Sequence, residues 1–200
     1  MSRGMFVYKG EIVLCSGNSG KIAEIKEYLG CSKEVAVVSK KAEIDIDETG
    51  QTFKENALIK AKAVYEQIHK PVLADDSGVC VDALNGEPGI YSARYAGENK
   101  TDADRCLFLL NKMKNITDLF KRSCHMTTCL CYIDQAGREH FFEKSLKGQI
   151  AFAPHGQNGH GYDPIFLLPN GKCLAELTIE EKNKVSPRGQ AIRAFVDEIF

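Results

Sequence analysis

The stretch VLADDSGVCVDALNGEPGIYSARYAG, residues 72–97, decides the fold. It begins with the apolar run Val72 to Ala74, which predicts a short buried strand. We expect this strand to end at the two acids that follow, Asp75 and Asp76, because adjacent like charges are expelled from an apolar sheet unless a cation or proton intervenes. The glycines and proline of NGEPGIYSARYAG then predict a long loop.

On both sides of this stretch, apolar runs rich in β-branched residues alternate with helical periodicity, which is typical of an α/β protein. Thr101 is predicted to cap a helix that carries Leu107, Leu110 and Met113. The other predicted elements are strands at 11–15 and 35–38, helices after the SGNSG turn, at 52–68 and at 189–200, and a hairpin within 123–150 that turns at 135–137.

The composition is that of a globular protein with a sizeable core, since 44% of the 200 residues are hydrophobic and 26% are charged. This length fits one large domain over residues 1–200 or two intimately joined lobes. The formal net charge of -1 provides no basic field, so binding to a nucleic acid polymer is not expected. Neither a signal peptide nor an apolar run that could span a membrane is visible, so we expect a cytoplasmic protein without membrane contact.

Eight cysteines are scattered along the chain without the CxxC or Cys/His spacing of a zinc site. Free cysteine packs as a small hydrophobic residue, so we expect buried and reduced thiols, with zinc binding as the minor alternative. Cys129 and Cys131 are expected to share one face of a strand, because side chains two residues apart in a strand point to the same side.

The segment SGNSGK, Ser16 to Lys21, lies between a predicted strand and a predicted helix. Small residues at such a turn let backbone N–H groups approach an anion, and Lys21 adds a positive charge. A Walker A loop is excluded, because Cys15 and Ile22 stand where that loop needs a glycine and a hydroxyl residue. Phosphate binding and a plain strand-to-helix connection both stay open for this segment.

Carboxylates are concentrated in two segments, DIDETG and ADDSG, as Asp45, Asp47, Glu48, Asp75 and Asp76. Two such segments suit Mg2+, which binds few protein ligands together with substrate phosphates. DIDETG alone is also typical of a solvated turn before a helix. ADDSG is the stronger candidate, because we expect one of its acids to reach a cleft.

The C-terminal part combines glycines with ring-bearing, acidic and cationic side chains. The ring-bearing, acidic and cationic residues are His160, Tyr162, Asp163, Lys182, Lys184 and Arg188. Rings can stack on a nucleobase, an acid can accept hydrogen bonds from base N–H groups, and Lys or Arg can pair with phosphate. The plainer interpretations are an exposed loop imidazole at His160 and a solvated charged turn at EEKNK.

Taken in order, five motifs resemble the Ham1 family of inosine triphosphate pyrophosphatases. They are SGNSGK with Glu24, ETGQTFKENALIKA, ADDSGVCVDALNGEPGIYSARYAG, GYDPIF and AELTIEEKNKVSPRGQA, and together they extend from about residue 12 to residue 195. The resemblance implies an α/β fold of two lobes, with an elongated mixed sheet flanked by helices and a substrate cleft between the lobes. It also implies a homodimer that hydrolyses ITP, dITP and XTP to the monophosphate and pyrophosphate and requires Mg2+.

The matching motifs imply roles for individual residues. Asp76 is implied as the proton acceptor and, with Glu48, as a metal ligand, Asp47 being the alternative to Glu48. Substrate contacts are implied for Ser16, Gly17, Asn18, Ser19, Gly20, Lys21, Ser77, His160, Gly161, Tyr162, Asp163, Lys182, Pro187 and Arg188.

Two positions depart from the family pattern. His160 stands where the family usually has Phe, and Pro187 replaces the histidine of the SHRG motif. His160 keeps a flat ring but makes it titratable, whereas Pro187 removes a backbone N–H and a polar side chain. We therefore expect that hydrolysis is retained and that discrimination between bases is altered or relaxed.

Two other functions compete with this interpretation. A Maf-type nucleotide pyrophosphatase would act on pyrimidine or modified nucleotides, but the ADDSG and SARYAG blocks argue against it. A nucleotide sensor without hydrolysis would need no aligned metal and water, whereas this chain retains all four residues that argue for turnover, which are Glu48, Asp75, Asp76 and Lys21.

Overall fold

The structure of the protein is a computed structural model that describes residues 12–29, 37–38 and 46–200. Three predicted features lie partly or wholly outside the described residues: the strand start at Glu11, the strand positions 35–36, and Asp45.

Strands and helices alternate as expected for an α/β protein. The strands are β1 Val13–Cys15, β2 Val37–Val38, β3 Val72–Val81, β4 Ser123–Ile133, β5 Glu139–Ile150 and β6 Phe166–Leu167. The helices are α1 Ser19–Tyr28, α2 Phe53–Ile68, α3 Asp102–Lys112, α4 Ile179–Val185 and α5 Pro187–Ile199. The strands form one sheet in the order β2-β1-β3-β4-β5-β6, in which β1 runs parallel to β2 and β3 while β5 and β6 are antiparallel. The predicted α/β class with a mixed sheet is confirmed.

The described residues form two compact units. Unit 1 contains the residues up to Asp76 together with Thr128–Lys144 and Arg188–Phe200, and unit 2 contains Ser77–Thr127 and Ser145–Pro187.

Unit 1 buries apolar side chains in two clusters that follow the alternation of β1. Leu14 packs with Ile25 of α1 and Phe195 of α5 in one cluster. Val13 and Cys15 belong to the other cluster, which contains the buried face of α2. Because neighbouring side chains in a strand point to opposite sides, α1 and α5 cover one face of the sheet and α2 covers the other.

The prediction that the strand ends at the acid pair is wrong. β3 continues to Val81, so Asp75 and Asp76 lie inside a buried strand. The physical reason is that cations from distant parts of unit 1 neutralise both carboxylates, as described below.

The segment EEKNK is helical rather than a solvated turn. It lies in α4, where Thr178 and Glu181 form a capping box and Lys182 and Asn183 are buried. The next helix, α5, begins at Pro187. Proline is well tolerated at a first helical position, because the N–H group that it lacks has no partner within the helix.

The cysteines behave as buried thiols, as predicted. Seven cysteines lie among the described residues, all of them reduced, and only Cys80 is partly exposed. Cys129 and Cys131 share one core cluster, and burial raises the pKa of each to about 12. None of the described helices combines the length and apolar character needed to cross a membrane.

A buried guanidinium ties together the loops of unit 2. Arg122 is 2% exposed, and its Nε donates to the Ile150 carbonyl at 2.7 Å. Its Nη1 donates to Met113 O and Ile116 O, both at 3.0 Å, and its Nη2 donates to Ala151 O at 2.9 Å. One guanidinium thus donates hydrogen bonds to four backbone carbonyl groups.

We predict that Arg122→Met lowers the free energy of unfolding by about 3–5 kcal/mol, because several buried carbonyl groups lose their donors at once. Chemical denaturation checks this value. Lys121→Met, at the exposed neighbouring position, is the matched control and is expected to change stability by less than about 0.5 kcal/mol. Equal effects of the two substitutions would contradict the role assigned to Arg122.

Candidate active site

Asp75 is held by two cations inside unit 1. Lys21, in the first turn of α1, forms an ion pair with Asp75 Oδ1, and Arg188 Nε donates to Asp75 Oδ2 at 3.0 Å. The same guanidinium donates through Nη1 to Glu24 of α1. Both oxygens of Asp75 are therefore engaged, and these contacts connect β3 to α1 and α5.

These ion pairs set the charge of Asp75. Burial alone opposes ionisation, but Arg188 and Lys21 hold the pKa of Asp75 well below its usual range. The pKa of Arg188 is raised because Asp75 and Glu24 outweigh the effect of burial. The pKa of Lys21 is lowered, chiefly by burial, and Asp75 offsets only part of that effect.

Asp76 has a different environment, although it is the next residue. Lys60 Nζ of α2 lies 2.6 Å from Asp76 Oδ1 and 3.0 Å from Glu48 Oε1, so one ammonium joins the two carboxylates. Asp76 Oδ2 is buried and has no hydrogen-bond partner among the described residues. Burial raises the pKa of Asp76, with Lys60 and Lys21 acting in the opposite direction.

The donor set around Asp76 fits a hard divalent cation. A buried carboxylate oxygen without a partner is an unusual cost in a folded protein, and Mg2+ prefers such oxygens. Glu48 shares Lys60 with Asp76, and its side chain is 26% exposed, which leaves room for a ligand. These two carboxylates therefore suit the metal site that the motifs imply.

The loop that carries Glu48 is attached to the start of α2. Thr52 caps this helix by accepting from Glu55 N at 3.1 Å, and Glu55 Oε2 in turn accepts from Gln51 N at 2.6 Å. This reciprocal pattern fixes the chain direction just after Glu48.

The SGNSGK segment makes a tightly capped helix start. Asn18 Oδ1 accepts from the backbone N–H groups of Gly20 and Lys21 at 2.9 and 3.1 Å, and Ser16 Oγ accepts from Asn18 N at 3.2 Å. Gly17 has open space where a side chain would begin. The backbone N–H groups of Asn18, Gly20 and Lys21 therefore donate to side chains of the turn itself.

In unit 2, Asp163 organises the glycine-rich GHGYDP turn. Its Oδ2 accepts from His160 N at 2.7 Å and forms a buried ion pair with Lys182 of α4. A side chain at Gly159 would begin 2.2 Å from that same oxygen, so only glycine fits at this position. Asp102 Oδ2 holds the turn from α3 by accepting from Gly161 N at 2.6 Å.

The remaining predicted contact residues differ in exposure. Tyr162 packs in the core of unit 2, where its hydroxyl donates to Ser92 O at 2.9 Å. Ser77 is half-buried in β3, and Pro187 is buried at the first position of α5.

Lys60 was missed in the sequence, although a signal was present. The residues of α2 that face the core include Ala57, Ala61 and Val64, and Lys60 belongs to the same helix with its side chain only 12% exposed. A lysine next to such an apolar stripe points to a buried counter-charge only where its ammonium does not reach water, and Lys62 of the same helix is 48% exposed. The pairing of Glu24 with Arg188 gave no local signal, because the two residues are 164 positions apart.

Comparison with known proteins settles the family. The model of the Ham1 family matches residues 12–198. The chain belongs to the Ham1 family. The resemblance predicted from the five motifs is confirmed.

Relatives of the chain cover nearly its whole length. It is 43% identical over 186 residues to the dITP/XTP pyrophosphatase of Staphylococcus aureus strain MW2, covering 91% of this chain and 92% of the relative. It is 44% identical over 187 residues to the protein of the same name from Treponema denticola, covering 91% and 94%. The solved structure of a HAM1 protein from Coxiella burnetii matches with a TM-score of 0.81 and 39% identity, over 95% of this chain and 98% of that chain.

We predict opposite stability effects for the two adjacent acids. Asp75→Asn is expected to lower the free energy of unfolding at neutral pH by about 3–5 kcal/mol, because Lys21 and Arg188 lose a charged partner. Asp76→Asn is expected to leave it unchanged or raise it, because burial raises the pKa of Asp76 and makes its ionised form unfavourable. Denaturant titration of both variants measures these differences.

The pH dependence follows from the sign of each shift. The folded-state pKa of Asp75 is depressed, so its contribution is fully present above its unfolded pKa of about 3.9 and is lost as the pH falls below it. The stability difference between wild type and Asp75→Asn should therefore shrink below about pH 4. A difference that does not change between pH 7 and pH 3 would contradict the ion-pair assignment.

Proposed function

We propose that the protein hydrolyses non-canonical purine nucleoside triphosphates, namely ITP, dITP and XTP, to the monophosphate and pyrophosphate in the presence of Mg2+. Such an activity removes these nucleotides from the pool. The observation that carries the proposal is the buried Oδ2 of Asp76, which lies beside Lys60 and Glu48 and has no hydrogen-bond partner in the part of the chain that the structure describes. Relatives named dITP/XTP pyrophosphatase at 43% and 44% identity support the choice of substrate.

Asp76 has the central role in the proposed reaction. Asp76 and Glu48 would hold Mg2+, which when bound supplies charge neutralisation for the phosphates and polarises water. Asp76 orients the water that attacks the α-phosphorus and accepts its proton, and the bond from the α-phosphorus to the bridging oxygen breaks to release pyrophosphate. Of the two acids, Asp76 suits this role better, because its Oδ2 has no hydrogen-bond partner among the described residues, whereas both oxygens of Asp75 pair with cations.

Cations of unit 1 complete the electrostatic part of the proposal. Lys21 and Lys60 provide positive charge for the triphosphate, to which Ser16 to Gly20 and Ser77 would add contacts. Arg188 is best assigned to positioning, because its guanidinium is engaged by Asp75 and Glu24.

The base contacts follow the GYDPIF and SPRG motifs. We assign them to His160, Gly161, Asp163 and Lys182, with Pro187 shaping the start of α5. The Asp163–Lys182 ion pair presents an acceptor and a donor together, a combination that suits a polar purine edge. Tyr162 would support this turn through its buried ring.

Membership in the Ham1 family favours this reaction over the Maf-type alternative. The homodimer, the cytoplasmic location and the single domain of two lobes stay predictions.

Pyrophosphate release from a panel of nucleotides tests the proposal. With Mg2+, we expect ITP, dITP and XTP to be hydrolysed with kcat/KM values at least about tenfold above those of ATP, CTP and UTP. Chelation of the metal with EDTA should abolish release, because the phosphate charge is then left without its main counter-charge.

Two variants serve as controls for this panel. Asp76→Asn should lower kcat about 1000-fold while ITP binding persists, because the proton acceptor is lost. Asp197→Asn, an exposed acid of α5, should leave kcat unchanged. Release from no member of the panel would refute the hydrolysis proposal, and binding of ITP without release would favour the sensor alternative.

We predict that His160→Phe sharpens base discrimination. Replacing the imidazole by the ring that the family usually carries should raise the ratio of kcat/KM for ITP over GTP by about tenfold. His155→Phe, at an exposed position of unit 2, is the matched control. An unchanged ratio in His160→Phe would remove His160 from the base contacts.

A further inference from the structure

Asn56 is a fully buried polar residue on the helix that carries Lys60. It is 0% exposed and sits in the first turns of α2, next to the buried Ala57 and one helical turn before Lys60. A polar side chain in this position destabilises the fold unless its hydrogen bonds are made. Its contacts therefore indicate why an amide, rather than an apolar side chain, occupies the position.

The amide of Asn56 holds the loop of Glu48. Asn56 Oδ1 accepts from Gly50 N at 2.8 Å, two residues after Glu48. The loop approaches so closely that a Cβ atom at Gly50 would lie 2.6 Å from Asn56 Oδ1 and 2.7 Å from Glu55 Cβ. Glycine is thus required for this approach, and the Gly50 N–H group meets its acceptor inside the protein.

Two points on one helix fix Glu48. Asn56 holds the backbone just after Glu48, and Lys60, four residues later on the same helix, pairs with Glu48 Oε1 at 3.0 Å. Residues four apart lie on the same face of a helix. The Nδ2 atom of Asn56 has no hydrogen-bond partner among the described residues. The contact between Asn56 and Gly50 is therefore retained although this unsatisfied donor lowers stability.

We propose that Asn56 is a positioning residue for metal binding: through Gly50 it fixes the loop that presents Glu48, and so it sets the affinity of the protein for a divalent cation. This inference rests on the proposed function, in which Glu48 is a metal ligand. Asn56 itself acts through the loop and contacts neither metal nor substrate.

Binding of Mn2+ to the full-length protein without nucleotide tests the inference. Free Mn2+ is followed by electron paramagnetic resonance, so the readout does not depend on turnover. Asn56→Ala should raise the dissociation constant for Mn2+ by about tenfold or more, as expected for the loss of a residue that supports a metal ligand. Gly50→Ala should have the same effect, because it displaces the loop while Asn56 stays in place.

Gln67→Ala is the matched control. Gln67 is an exposed amide near the other end of α2, so its removal leaves the loop of Glu48 and the buried contact unchanged. We expect its dissociation constant to stay within about twofold of wild type. Circular dichroism and thermal unfolding must show that all variants are folded at the titration temperature, and Gly50→Ala keeps the test decisive if Asn56→Ala does not fold.

A double-mutant cycle separates positioning from general destabilisation. In a Glu48→Gln background, Asn56→Ala should weaken Mn2+ binding by less than about twofold, because the ligand that it positions is already impaired. A full additional loss in that background, or wild-type affinity in both Asn56→Ala and Gly50→Ala, would overturn the inference.

Amide hydrogen exchange distinguishes this inference from the proposed function. Exchange at Gly50 N–H should be about tenfold faster in Asn56→Ala, with the Gln51 amide as internal reference. If exchange at Gly50 is faster in Asn56→Ala but Glu48→Gln binds Mn2+ as tightly as wild type, Glu48 is not a metal ligand and the proposed effect of Asn56 on affinity is refuted. The hydrolysis of ITP is judged separately, by pyrophosphate release. Unchanged exchange at Gly50 would refute the positioning role of Asn56 even if ITP is hydrolysed.

Discussion

The ion pairs of Asp75 with Lys21 and Arg188 allow a buried strand to pass through two adjacent acids. An unpaired carboxylate at this depth would be strongly unfavourable, and removal of one partner of a buried pair is among the most damaging changes in a protein. Here both oxygens of Asp75 are satisfied, and the cations come from the starts of α1 and α5. The same contacts that neutralise the charge therefore hold three elements of unit 1 together.

This arrangement leaves Asp76 available for chemistry. Neighbouring side chains in a strand point to opposite faces, so the two acids meet different partners. Both oxygens of Asp75 pair with cations and its pKa is depressed, whereas Asp76 shares Lys60 with Glu48 and has a raised pKa, and its Oδ2 has no hydrogen-bond partner among the described residues. In the proposed function, Asp75 is structural, and Asp76 provides the buried oxygen for the metal and for the proton of the attacking water.

Local sequence patterns predicted most of the fold but not the interactions that shape the site. The apolar spacing of α2 and the cap at Thr101 are local signals, and both are present in the structure. The prediction that the strand ends at Asp75 failed because Arg188, the partner of this acid, is 113 residues away and gives no signal in a local pattern. The helical EEKNK segment was missed although Thr178 and Glu181 provide a local capping-box signal, and only the burial of Lys182 depends on a residue distant in sequence, Asp163.

In the proposed reaction, water beside Asp76 attacks the α-phosphorus. Hydrolysis of ITP in water enriched in oxygen-18, followed by mass spectrometry of both products, tests where the water attacks. Attack at the α-phosphorus places the heavy oxygen in the nucleoside monophosphate and leaves pyrophosphate unlabelled. Heavy oxygen in pyrophosphate, or release of inorganic phosphate in its place, would contradict attack at the α-phosphorus.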